Sequence, residues 1–177
     1  MPADGPTEAL VRAAQGGDTI AMNDLLDLLA PYVGRICGPI ALEHGPDAAQ
    51  EALTAVFRHL HTLREPAALR GWVRRIATRE AVRVTRRAAD PSGPQAGRAF
   101  AAAVEVADLP APGHPSLAAD VRDVLSRLSP EHRAVLVLRD LEGLDEREAA
   151  ALLSVPEGTV KSRLHRARSN FRKAWTR

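Results

Sequence analysis

Apolar residues recur along the chain at spacings of three and four, in stretches cut by proline, glycine and capping residues. A first helix is predicted from about Thr7 to Gln15, ended by Gly16-Gly17. Asp18 then caps a second, with Ile20, Leu25, Leu28 and Leu29 on its apolar side. Pro31 is expected to restart the chain, and Tyr32, Val33, Ile36 and Ile40 extend a buried stripe to roughly His44. Gly45-Pro46 breaks the pattern before a long helix from Asp47 to about Arg64, with Leu53, Val56, Phe57 and Leu60 inward. After Glu65-Pro66, a basic helix from Ala67 to Arg87 mixes Arg70, Arg74, Arg75, Arg79, Arg83, Arg86 and Arg87 with Trp72, Val73, Ile76 and Ala77.

From Ser116 the helical pattern resumes, with Leu117, Val121, Val124, Leu125 and Leu128 in one stripe. Ser129-Pro130 starts the next helix, whose Ala134, Val135, Val137, Leu138 and Leu141 are expected inward, and Gly143 ends it. Asp145 and Glu148 form a capping box before a short helix carrying Ala149, Ala150, Leu152 and Leu153. Ser154-Val155-Pro156 breaks that helix. A last helix follows, with Val160, Leu164, Ala167 and Phe171 inward and Lys161, Ser162, Arg163, His165, Arg166, Arg168, Arg172 and Lys173 on its other faces. A short helix, a tight turn and a basic second helix are the parts of a helix-turn-helix, which places its second helix in the DNA major groove.

Residues 89–116 contain five prolines and three glycines and few apolar residues, the composition of a linker, with a short ordered piece expected at Phe100 to Val106. The class predicted is all-α: two small helical domains, 1–88 and 116–177, joined by a flexible linker over 89–115, the second holding the helix-turn-helix. Scarce aromatics support helices packed through aliphatic stripes.

Charge sharpens this picture. Residues 1–65 hold four cations against nine acids, 66–98 eight against two, 99–155 five against ten, and 156–177 seven against one. Two basic blocks, each after an acidic one, point to two nucleic-acid contacts, with the acidic stretches facing a basic protein surface. No nucleophile–base pair, phosphate loop or cysteine–histidine cluster is present, so neither catalysis nor a metal or other cofactor is expected. His59 and His61 diverge on a helix, and Cys37, the one cysteine, reads as a small core residue. No long apolar run suggests a membrane span, no signal-peptide core opens the chain, and a cytoplasmic protein is expected.

The runs Leu128 to Leu136, Leu141 to Leu144, Glu148 to Ala150 and Gly158 to Arg168 together resemble region 4, the −35-binding domain of sigma-70 family factors, nearest the two-domain extracytoplasmic-function (ECF) group. Gly17-Asp18, Tyr32, Asp47, Gln50-Glu51, Trp72 and Ile76-Ala77 resemble region 2 of the same group. The chain departs from that pattern at His44 to Asp47, where the acidic run is thinner. It also departs at Leu53, where an aromatic is usual, and at Arg79 and Arg83, where Asn and Asp are typical.

The resemblance implies a transcription initiation factor that binds core RNA polymerase and promoter DNA, with an anti-sigma factor as a further expected partner. Thr159, Lys161, Ser162, Arg163 and Arg166 would then contact the −35 element, and Arg168, Arg172 and Lys173 would touch phosphates or water. Trp72, Arg75, Arg79, Arg83, Arg86 and Arg87 would serve the −10 element. Asp47, Gln50 and Glu51 would meet the polymerase. The same residues also fit a helix-turn-helix regulator whose first half binds another protein without directing initiation.

Overall fold

The computed structural model describes residues 5–90 and 115–175, and every regular element among them is helical, as the all-α class requires. The expected piece at Phe100 to Val106, and the linker apart from its ends, lie outside the described residues. In chain order the helices are α1 (Gly5–Gln15), α2 (Thr19–Ala41), α3 (Gly45–His59), α4 (Leu69–Ala88), α5 (Pro115–Ser126), α6 (Pro130–Leu136), α7 (Glu146–Leu153) and α8 (Glu157–Trp175).

Helices α1 to α4 form one bundle around Val11, Leu25, Val33, Ile36, Ile40, Val56, Val73 and Ala81. Pro31 does not restart the chain: α2 runs unbroken through Pro31 and Pro39. Each proline removes one backbone donor, but the buried stripe from Leu25 to Ile40 lies on both sides of Pro31 and rewards continuity. The unbroken helical stretch from Thr19 to Thr62 is long and apolar enough by composition to cross a membrane, contrary to the sequence expectation. Its apolar residues here face the bundle core, which accounts for the same composition. Gly45 is needed where α3 crosses α2, since a Cβ there would stand 3.1 Å from the Gly38 Cα. Cys37 is fully buried, its thiol pushed up to about 12 by burial first and by Glu80 second.

Three residues expected inward point out. Ile20 is 73% exposed and Leu117 is also exposed; both sit in the first turn of their helices, where the bundle has not yet closed over them. Phe57 is 56% exposed, because α3 ends at His59 and a 3₁₀ turn, Leu60–Thr62, turns Leu60 into the core instead. The side-chain amide of Gln15 donates to the Leu60 and Leu63 carbonyls at 2.9 and 2.7 Å, tying α1 to this α3–α4 connection.

In the second half, Val135, Leu138, Leu144, Ala149, Leu152, Val160 and Leu164 make a smaller core. Arg133 is buried and donates to the Leu128 carbonyl at 3.2 Å, pinning the turn between α5 and α6. Beyond α6 the backbone widens into a π turn, Val137–Leu141, in which the Glu142 amide donates to Val137 five residues back at 2.9 Å. The wider turn carries Leu141 off the expected stripe, to 48% exposed. It also aims Glu142 at the first half. Ala134 and Val137 belong to the first core, so the two halves pack together in this structure.

Candidate nucleic-acid interface

The helix-turn-helix is built by local rules. The Asp145 carboxylate accepts from the Glu148 amide at 2.7 Å, and the Glu148 carboxylate accepts from the Asp145 amide at 2.8 Å, completing the capping box. Ser154 closes α7 in the left-handed region, at φ 55, with its amide donating to Ala150. Val160, Leu164 and Ala167 seat α8 on the small core, which fixes the phase of its outer faces.

That phase sorts the sequence-predicted residues. Thr159, Ser162, Arg163 and Arg166 lie at spacings of three, one and three and share one stripe. Ser162 and Arg166 are exposed, whereas Thr159 and Arg163 are half-buried. Lys161 lies on another face and pairs with Glu146 of α7 at 3.3 Å. Arg168 is held by Asp140 at 2.5 Å. His132 of α6 lies near Arg163 and Arg166, and it is held below its ordinary value by burial first, with those two arginines adding to the effect.

On α4, Trp72, Arg75, Arg79, Arg83 and Arg86 follow at three, four, four and three and so share a face, with Arg87 to one side. Trp72 is half-buried against the first core. Arg83 pairs with Glu80 and, at 3.2 Å, with Glu51 of α3. Arg86 pairs with Glu131 of α6 at 2.5 Å, and Glu131 is held below the usual carboxylate range, the backbone and Arg86 outweighing its burial. Arg79, Arg83, Arg86 and Arg163 line a single cleft of about 480 Å³ between α4 and the second half. The two basic helices thus face one another.

On α3, Asp47, Gln50 and Glu51 share a face with the exposed Phe57, ten residues after Asp47. Sequence reasoning placed Phe57 in the core; the sign that it lies outside is its helical phase with three polar residues.

Sequence reasoning also missed Glu142. Its fully buried carboxylate accepts from the Tyr32 hydroxyl at 2.8 Å and from Arg35 at 2.6 Å, with Arg74 at 3.4 Å and Arg70 at 3.9 Å. The Arg35 and Arg70 guanidinium groups stand over the Tyr32 ring at 5.5 and 5.1 Å. A buried carboxylate carries a desolvation cost of several kcal/mol, which is offset only by such a set of donors. Burial first, and the Glu142 charge with it, pushes the Tyr32 hydroxyl up.

This arrangement can be set beside known proteins. The family model for sigma-70 region 2 matches residues 22–90, and that for sigma-70 region 4 matches residues 118–170. The ECF RNA polymerase sigma factor SigE of Mycolicibacterium smegmatis is 34% identical over 186 residues, covering 97% of this chain and 68% of that protein. The chain belongs to the ECF sigma factors. The ECF RNA polymerase sigma-E factor of Escherichia coli is 31% identical over 175 residues, covering 91% of this chain and 90% of that one. A solved structure of the sigma factor RpoE with the anti-sigma factor NepR, from Bartonella quintana, shares the fold at a TM-score of 0.61 and 19% identity, over 87% of this chain and 96% of that one. This ECF sigma factor acts in transcription initiation, and the plain-regulator reading is not favoured.

Proposed function

We propose that this sigma factor reads the −35 element through the Thr159, Ser162, Arg163 and Arg166 stripe of α8, the observation that carries the reading. Arginine pairs bidentately with guanine at base edges, and each good pair is worth roughly 1–3 kcal/mol of discrimination. Lys161, committed to Glu146, steadies the motif and lies beside the phosphates rather than the bases. Arg75, Arg79, Arg83, Arg86 and Arg87 of α4 hold the −10 strand backbone, and Trp72 offers the edge of a stacking surface. Asp47, Gln50, Glu51 and the exposed Phe57 form the polymerase-facing patch, an apolar anchor within a polar rim.

The division into a region-2-like domain over 1–88, a linker over 89–115 and a region-4-like domain over 116–177 is part of the same proposal, and it places the −10 and −35 readers on separate units. An anti-sigma factor is a fitting partner, by analogy with the RpoE–NepR pair. Work with polymerase on chromosomal promoters implies a cytoplasmic protein without chemistry of its own.

The test is run-off transcription with core polymerase on native promoter fragments. Promoter-specific transcripts that require the added protein are expected; their absence on every promoter tried would overturn the reading in favour of a regulator that binds DNA without initiating.

A further inference from the structure

We propose that Glu142 is an intramolecular latch, which holds the C-terminal helices on the N-terminal bundle in a closed state that must open before promoter DNA is engaged; this rests on the sigma-factor reading. Three observations carry it.

The first is the specificity of the contact. A single buried carboxylate meets a tyrosine hydroxyl and three arginines, all from the other half of the chain, 68 to 110 residues away in sequence. Ala134 and Val137 seal the same surface by packing into the first core, and Arg86 adds a second ionic clasp on Glu131. A carboxylate stripped of water is stable only while those donors surround it. The contact is therefore a two-position device, made fully or abandoned.

The second is what the closed state withholds. Arg79, Arg83 and Arg86 of α4 and Arg163 of α8 line one cleft of about 480 Å³, the size of a small-molecule pocket. A recognition helix instead needs a major groove about 12 Å wide and 8.5 Å deep. No duplex enters between the two helices as they stand.

The third is distance. Elements centred near −10 and −35 lie about 25 base pairs apart, roughly 85 Å along the duplex at 3.4 Å per step. Helices facing each other across one cleft cannot serve both. The closed state is thus incompatible with promoter binding, and only separation of the halves, with loss of the Glu142 contact, reconciles them.

The full-length protein, Glu142→Gln and Arg35→Gln are compared by small-angle X-ray scattering. Wild type is expected close to the radius of gyration of a compact chain of this length, about 16 Å, and each variant to exceed it by roughly a quarter or more. Circular dichroism checks that helix content is retained. Should Glu142→Gln fail to fold, Arg35→Gln carries the test, because Arg35 is half-exposed and outside the core. The charge-swapped pair Arg35→Glu with Glu142→Arg should close the protein again.

On a labelled duplex holding the −35 half of a promoter established by run-off, without polymerase, the opened variants should bind about tenfold tighter, as for a site freed from a tenfold population penalty. Identical radii and affinities in all three proteins would overturn the latch. Wild type that gives no transcript while the variants still expand would instead reject the sigma reading and leave the latch standing.

Discussion

Tyr32 and Glu142 stand 110 residues apart in the chain, yet the Tyr32 hydroxyl donates to the Glu142 carboxylate at 2.8 Å. The bond joins α2 to the segment that follows the π turn, and so fastens the first half of the molecule to the second. Tyr32→Phe removes the hydroxyl and leaves the ring beneath Arg35 and Arg70. A hydrogen bond to a charged group is worth about 1.5–3 kcal/mol, so urea unfolding should show a loss near the low end of that range, since the arginines remain. An unchanged denaturation midpoint would mean that water replaces the hydroxyl without cost.

Arg166 and Arg168 stand two positions apart on α8 and should behave differently. Arg166 is exposed on the Thr159–Arg163 stripe, so Arg166→Ala should relax preference at one −35 position by about 1–3 kcal/mol. Arg168 is engaged by Asp140, so Arg168→Ala should leave sequence preference unchanged and alter stability by at most about 1 kcal/mol, as exposed ion pairs do. Competition binding against single-base variants of the −35 duplex reads both. Uniform weakening of Arg166→Ala on every sequence would reassign it to a phosphate.

His132 links DNA binding to pH. Burial, with Arg163 and Arg166 close by, holds its imidazole below 6.5 in the free protein. The unfolded chain therefore binds more protons in the window just below 6.5, and stability should fall as the pH drops through it. Phosphates placed against Arg163 and Arg166 offset their charge, so the imidazole rises on binding and takes up a proton. Affinity for the −35 duplex should accordingly strengthen several-fold between pH 7.5 and 6. Fluorescence anisotropy on wild type and His132→Gln checks this; an equal pH response in both would remove His132 from the linkage.

Where structure follows local chemistry, it was legible in the sequence. The Asp18 cap, the Ser129-Pro130 start, the Asp145–Glu148 box and the buried stripe of α8 are all short-range patterns, and each is present. Pro31 was misread because continuous burial on both sides of it outweighed one lost hydrogen bond. Leu141 was misread because a period of 3.6 residues carries no signal for a π turn. Phe57 was misread as core because hydrophobicity alone does not separate a core residue from an exposed one on a polar face. For the candidate site, the sequence supplied the basic residues, and the fold supplied their phase, turning Lys161 aside and gathering Thr159, Ser162, Arg163 and Arg166. The Glu142 cage was invisible beforehand, since no local pattern pairs a glutamate with groups on helices so distant in sequence.

The π turn at Val137–Leu141 acts as an angular spacer. One residue of ordinary helix advances the chain by about 100°. Deleting a single residue there would restore regular α bonding while swinging everything downstream about the helix axis, so that residue 142 would leave Tyr32 and α8 would present a different side to the cleft. The length of this one turn therefore sets the bearing of the whole DNA-reading unit relative to the bundle beneath it.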